Sequence, residues 1–415
     1  TEAMAAGSLR VLAVAFRPFP PGGGVVPEPS KLERDLIFAG LVGLMDPPRP
    51  EARRAVRRCR EAGIAVAMVT GDHPATAGSI SREIGLMSGE DRVLTGAELE
   101  ALPPRRLAAL LEGGRTATFA RVSPSDKLRI VRALRQAGHV VGMTGDGVND
   151  APAVREADIG ISMGLTGTDV TRETSSLVLA DDNFATIVAA VEEGRAIYDN
   201  IRKCIRYLLA CNVGEILVML LAAALGVPLP LVPMQILWVN LVTDGLPALA
   251  LGVEPPEPDV MSRPPRAPRE NVFARGLGRR IITRGALIGL TTLLVFLAGL
   301  ALAPGRLVEA RTMAFATLVM CQLVYVFECR SERRPVFEVS LRGNPFLVLS
   351  VALSVTMLAA AIYVPAMRPV FKTWPLSSAQ WGVVLAASAL ATVAVGARQA
   401  LARARREQPA SPQGV

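Results

Sequence analysis

Six apolar stretches, at roughly 207–226, 231–252, 281–303, 312–329, 345–367 and 380–397, constrain this chain more than any other feature. Each runs about 17 to 23 residues, close to the ~20 that a helix needs to cross a ~30 Å hydrocarbon core. In such a core only a helix or a closed barrel pairs every backbone N–H and C=O. The stretches therefore read as about six membrane-spanning helices. Charges are frequent before about residue 205 and sparse inside these blocks, which divides the chain into a soluble half and a membrane half. Of the 415 residues 51% are hydrophobic and 20% charged, where soluble domains are about a quarter charged. A purely soluble globular protein, a disordered chain and a disulfide scaffold are excluded.

The net charge of +8 comes from 45 Lys and Arg against 37 Asp and Glu, and nearly all the cations are arginines. Nucleic-acid binding would need a basic stripe with interleaved aromatics. Here the arginines sit beside glutamates on helices or in short loops, so no nucleic-acid partner is expected. The loop 253–280 carries Arg263, Arg266, Arg269, Arg275, Arg279 and Arg280. The loop 330–344 carries Arg330, Arg333, Arg334 and Arg342, and the C-terminus has Arg398, Arg403, Arg405 and Arg406. The alternate loops are short or poor in charge. The positive-inside rule then puts the soluble half in the cytoplasm, and a multi-pass protein of the plasma (inner) membrane is expected. Five cysteines without a CxxC spacing, and two histidines, argue against zinc or haem sites.

Strand–helix alternation runs from Arg34 to about Leu179. Strands are read at Ile37–Gly43, Ile64–Val69, Val140–Met143 and Ile159–Met163, and helices at Pro50–Ala62, Ala75–Ile84 and Asp126–Ala137. The pattern predicts a parallel sheet covered on both faces, with ligands at the carboxyl ends of its strands. Two strands end there in Thr-Gly-Asp. In Thr144-Gly145-Asp146-Gly147-Val148-Asn149-Asp150 the glycines let backbone N–H groups approach an anion. Asp146 and Asp150 are hard oxygen ligands of the kind Mg²⁺ takes, and the Asn149 amide can hydrogen-bond a phosphoryl oxygen. Val69-Thr70-Gly71-Asp72 offers a hydroxyl and an N–H to a transferring phosphoryl group, and Asp72 can position water or nucleotide. A plain turn with a helix cap is the alternative for that string. Lys127, in a chain with only three other lysines, sets a compact point charge at a helix start.

Asn183–Arg206 continues as a helical pattern of mixed charge and reads as a stalk. Acids then lie inside two spans, in Asn212-Val213-Gly214-Glu215 and in Asn240-Leu241-Val242-Thr243-Asp244-Gly245. An ionisable residue in a span marks a functional site by default. Asn212 and Glu215, three apart, and Asn240 and Asp244, four apart, share helix faces. With Thr243 they make an oxygen-rich cation site. Gly245 and Pro247 permit local unwinding that exposes carbonyl ligands. Hard oxygens alone do not choose the ion.

Asp46-Pro47-Pro48-Arg49, Met68 to Asp72, Ala120 to Lys127, Met143 to Pro152 and Ala180 to Phe184 together resemble the P-type ATPases. The strings at 212–215, 233–252 and 261–265 are similar to the calcium-pump-like (type II) branch. The resemblance implies an α/β Rossmann-like (haloacid-dehalogenase-like) phosphorylation domain followed by an α-helical transmembrane domain of about six helices. Residues 1–30 would end a nucleotide-binding domain, 31–182 form the phosphorylation domain, 183–206 the stalk, 207–400 the transport domain and 401–415 a cytoplasmic tail.

By the same resemblance Asp146 holds Mg²⁺. Thr70, Lys127 and Asn149 contact the phosphoryl group, with Gly71, Asp72 and Asp150 beside them. Arg10 and Arg121, with Thr70, Gly71 and Asp72, face ATP. Asn212, Glu215, Asn240, Thr243 and Asp244 hold the transported cation, Ca²⁺. Val319 stands in the fourth span where two-ion pumps have a glutamate, so one Ca²⁺ per cycle is expected. The family's nucleophile, an aspartate in a DKTGT string, is absent from these residues, as are the actuator motif, most of the nucleotide domain and the first four spans. The chain is therefore expected to be the C-terminal part of a pump, inactive alone, with the N-terminal remainder as its partner. The alternatives are a truncated pseudo-pump with a binding or regulatory role, a membrane-anchored phosphatase of the same superfamily, and transport of Na⁺, Mn²⁺ or H⁺.

Overall fold

The computed structural model describes residues 10–18, 34–44, 47–88, 91–111, 115, 117–302 and 304–390. The chain divides into two units: Thr1–Glu192 with Pro258–Arg269, and Glu193–Glu257 with Glu270–Val415.

In the first unit β1 (Arg10–Phe16) and β2 (Ile37–Leu44) pair antiparallel as a two-stranded ribbon. The strand expected at Ile37–Gly43 thus stands apart from the parallel sheet. No apolar-periodic crossover lies before it in the sequence, and parallel neighbours require one. The remaining strands are parallel throughout, as expected, in two sheets of order β3-β5-β4 and β6-β7-β8. Their ranges are β3 Ala67–Val69, β4 Val93–Thr95, β5 Ala117–Ala120, β6 Gly142–Gly145, β7 Ile159–Met163 and β8 Leu177–Leu179. Strands β4, β5 and β8 lack the Thr-Gly-Asp ending that marks β3 and β6, and they are not among the strands read in the sequence.

Among the described residues the helices of this unit are, in chain order, α1 (Pro50–Glu61), α2 (Pro74–Glu83), α3 (Gly96–Ala101), α4 (Pro104–Ala109), α5 (Pro124–Gln136), α6 (Ala151–Glu156) and α7 (Asp169–Thr174). Proline in the first turn of α1, α2, α5 and α6 presets the helical φ where no N–H is needed. Ser123 and Asp126 close a capping box on α5, which satisfies two of its free N–H groups. The core around β5 gathers Phe119, Leu99, Leu107, Val122 and Ile130.

In the second unit the expected stalk and first span are one continuous helix, α8 (Phe184–Ala224), which begins in the first unit. The second span is broken into α9 (Pro233–Trp238), a π-helical turn at Val239–Thr243, and α10 (Gly245–Gly252). Then come α11 (Leu277–Leu302), α12 (Leu307–Cys329) and α13 (Pro345–Tyr363). Five helices among the described residues are long and apolar enough to cross a membrane, and a shorter apolar helix, Ser378–Leu390, starts where the sixth span was expected. The rest of that span and the 401–415 tail lie outside the described residues.

Close packing sets α8 against α11. A Cβ on Gly285 would lie 2.5 Å from the Val213 side chain and 2.7 Å from the Ala210 carbonyl, and one on Gly289 2.8 Å from the Gly214 carbonyl. Small residues at such crossings let two backbones approach where lipid gives little hydrophobic drive. Helix α12 is buried on all sides, with Phe315, Leu318, Val319 and Gln322 fully covered.

Part of the arginine surplus is structural rather than topological. Arg330, read above as a loop charge, is buried and pairs with Glu254 at 2.8 Å. Arg284 pairs with Glu328 inside the bundle, and Arg202 reaches Glu332 at 3.1 Å and the Val272 carbonyl at 2.6 Å. A charge removed from water needs such partners.

Candidate functional site

In the first unit β3 delivers Thr70 to the edge of the sheet, where its N–H donates to the Phe119 carbonyl at 3.0 Å. The Thr70 hydroxyl donates to Asp72 Oδ2 at 2.9 Å and accepts the Asp72 N–H at 3.1 Å. That loop is tied to the next strand end: the Asp72 carbonyl accepts from Arg121 N, and the Thr70 carbonyl from Val122 N. Arg121 has a φ of 53°, in the left-handed region, a conformation a side-chain-bearing residue keeps only when its surroundings enforce it. The cap of α2 is His73, whose Nδ1 accepts from Ala75 N at 3.3 Å. The Thr70–Asp72 bonds thus form the turn of the alternative reading, while the helix cap falls on the next residue.

One residue beyond Val122, Ser123 starts α5, and four residues on Lys127 Nζ donates to Asp150 Oδ1 at 2.6 Å. This pair, both partners largely covered, joins α5 to the loop that follows β6. A Cβ on Gly145 would lie 2.5 Å from Asp150 Cβ, so only glycine lets the strand end fold against that aspartate. Asp146 is fixed through its backbone, its carbonyl accepting Thr168 N at 2.9 Å. Its side chain is exposed and, among the described residues, accepts no hydrogen bond. An exposed, uncommitted carboxylate beside a turn of glycines fits Mg²⁺, which keeps several waters and takes one or two protein carboxylates. Asn149 and Gly71 are exposed on the same two loops. Arg10 lies on β1 but its side chain, like Asp46, is outside the described residues.

The second unit holds the other site. Both oxygens of Glu215, a buried residue of α8, accept amide hydrogens: Oε2 from Asn240 at 2.9 Å and Oε1 from Gln322 at 3.0 Å. Asp244 closes the π-helical turn, its N–H donating to the Val239 carbonyl at 2.9 Å. The unwinding expected from Gly245 and Pro247 is thus located one turn earlier, at 239–243. π-Helical turns recur at functional sites because they re-aim side chains and free carbonyls. The Tyr207 hydroxyl donates to the Thr243 carbonyl at 3.0 Å and lies 3.3 Å from Asp244 Oδ1. Thr243 Oγ1, Asp244 Oδ2 and Gln322 Oε1 are buried without hydrogen-bond partners. Asn212 is half-buried one turn before Glu215 and makes no hydrogen bond to the others.

Four of the five expected cation ligands thus converge, and Tyr207 and Gln322 join them. Gln322 had a signal, a polar residue three positions after Val319 in an apolar span. Tyr207 had none, since a tyrosine at a span end reads as an interface residue. No group of three or more His, Cys, Asp or Glu that could hold a metal gathers among the described residues.

Residues 228–401 match the family model of the cation transporting ATPase C-terminus, and residues 25–158 that of the haloacid dehalogenase-like hydrolases. The chain is 52% identical over 389 residues to a calcium-transporting ATPase of Bacillus subtilis, covering 94% of this chain and 43% of that protein. Over nearly its whole length this chain is thus similar to P-type cation-transporting ATPases. It shares 44% identity over 407 residues with calcium-transporting ATPase 1 of Bacillus cereus (94% of this chain, 45% of that protein). With the probable cation-transporting ATPase F of Mycobacterium tuberculosis it shares 41% over 418 residues (99% and 45%). The chain spans about half the length of these P-type relatives and matches their C-terminal family model.

Proposed function

We propose that this chain is the C-terminal part of a pump that couples ATP hydrolysis, through an aspartyl-phosphate, to Ca²⁺ transport across the plasma (inner) membrane, with its first unit in the cytoplasm. The nucleophilic aspartate would come from a segment preceding these residues. The observation that carries the reading is the pair of buried, unpartnered oxygens Thr243 Oγ1 and Asp244 Oδ2 beside Glu215 in a locally unwound span. Unpaired buried oxygens cost about 1–3 kcal/mol each, and a cation relieves both. The names of the relatives favour Ca²⁺ over Na⁺, Mn²⁺ or H⁺.

In the first unit, Lys127 sets a positive charge beside the proposed phosphoryl position while Asp150 holds its ammonium in place. Thr70 and the Gly71 N–H present donors from the neighbouring strand end, a fixed arrangement that favours developing negative charge. Asp146 would hold Mg²⁺, which when bound screens phosphate charge. Arg121 N, anchored on the Asp72 carbonyl, keeps the nucleotide-facing loop in register. No nucleic-acid partner enters this scheme; ATP, the cation and the bilayer do.

The test is Asp244→Asn in the complete protein, assayed as Ca²⁺-dependent ATP hydrolysis in membrane vesicles. Loss of one carboxylate charge at constant shape is expected to weaken the Ca²⁺ dependence by tenfold or more, about 1.4 kcal/mol. Unchanged dependence would sink the proposed site.

A further inference from the structure

Gln322 lies on α12, and nothing in the motif comparison assigned it a role. Its side chain is fully buried. Its Nε2 donates to Glu215 Oε1 at 3.0 Å, and its Oε1 has no partner. The amide cannot turn over in place, because that would set its oxygen against a carboxylate oxygen. The orphaned oxygen is therefore held there by Glu215. Buried polar atoms are almost always paired, and each exception needs a cause.

Two further oxygens share this condition, Thr243 Oγ1 and Asp244 Oδ2. Both belong to the π-helical turn and the residue that closes it, against which α12 packs. The Tyr207 hydroxyl lies 3.3 Å from Asp244 Oδ1 and the Cys211 thiol, a weak donor, stands beside the same carboxylate, yet Oδ2 accepts no hydrogen bond. Glu215 bridges the two groups, bound to Asn240 on one side and Gln322 on the other. Unpartnered oxygens on two elements around one carboxylate share a single remedy, a cation between them.

We propose that Gln322 is a direct ligand of the transported cation through Oε1 and completes the site in place of a carboxylate at position 319. Val319 is apolar and fully buried, and lies on the same face of α12 as Gln322, three residues away. The ligand set then has two negative charges, Glu215 and Asp244, with Asn240, Thr243 and Gln322 neutral. Two charges balance one divalent cation. A second would have no carboxylate of its own. The inference rests on the cation-site reading above, and its test separates the two.

The experiment measures Ca²⁺ binding by isothermal titration calorimetry, and the rise in melting temperature that Ca²⁺ produces, on the complete protein purified in detergent. Wild type, Gln322→Leu, Gln322→Glu and Asp244→Asn are compared. Wild type is expected to bind one Ca²⁺ at this site. Gln322→Leu should weaken binding at least tenfold and nearly abolish the Ca²⁺-induced rise. A merely structural glutamine would instead lower the Ca²⁺-free melting temperature and leave the Ca²⁺-induced rise at its wild-type size. Gln322→Glu should keep at least wild-type affinity and show a larger Ca²⁺-induced rise; tenfold weaker binding there overturns the proposal, including when the leucine variant does not fold. Asp244→Asn losing binding while Gln322→Leu stays within twofold of wild type overturns the role of Gln322 and leaves the cation site standing. Wild-type binding in both Asp244→Asn and Gln322→Leu fells both readings.

Discussion

Asp182 shows how much one side chain can organise at the residue scale. It is buried with a φ of 49°, and its carboxylate accepts the N–H groups of Gly164, Leu165 and Thr166 and the Thr166 hydroxyl at 2.7–3.0 Å. The Leu165 N–H leads in holding its pKa down, burial opposes it, and the Thr166 and Gly164 donors bring it to about 2. A carboxyl whose folded pKa lies below the unfolded 3.8 adds stability that is complete above pH 4 and is lost as pH falls through 2. Asp182→Asn should therefore lower the thermal midpoint of the detergent-solubilised protein at pH 7, with the gap from wild type closing between pH 4 and pH 2. A gap that stays constant down to pH 2 would contradict this account. The sequence marked Asp182 only as part of a family-like string, because its partners lie 16 to 18 residues upstream. Lys127 and Asp150, by contrast, stand out in the sequence as candidate site residues; their direct bond does not.

At the element scale the broken second span and the close crossing of α8 with α11 decide where Glu215 and Asp244 can point. Gly285→Val should force the two helices apart, since Val213 and the Ala210 carbonyl leave no room for a side chain. Overpacking of this kind costs about 1–3 kcal/mol. Glu215 rides on α8, so Ca²⁺ affinity should fall along with the melting temperature. Gly278→Ala on the same helix, where a Cβ meets nothing within 4 Å, should leave both unchanged. Equal effects of the two substitutions would show that helix propensity, not the crossing, is being measured. The span's apolar length was readable from sequence. The site of its unwinding was not, because Gly245 and Pro247 mark where a helix can yield, while the bonds around Val239–Asp244 set where it does.

At the scale of the whole molecule the two proposed chemistries fall in different units, and each should fail separately. Asp146→Asn in the complete protein should reduce phosphorylation from ATP on the order of a hundredfold, the usual effect of removing one group that stabilises developing charge. Ca²⁺ binding, measured by calorimetry, should stay within twofold of wild type, and parallel loss of both would indicate misfolding. By itself the sequence determined the apolar spans that follow a charge-rich first part, the parallel α/β class, and the carboxylates at the strand ends and inside the spans. Those features are local: a helical or strand period, a glycine-rich turn and a charge in an apolar run are each complete within a few residues. Only the tertiary structure decided that Gln322 meets Glu215 across 107 residues, that Arg330 is buried against Glu254 across 76, and that Ile37–Leu44 leaves the parallel sheet for an antiparallel ribbon. Each depends on which distant group fills the space beside a buried atom, and periodicity over one or two turns carries no record of that.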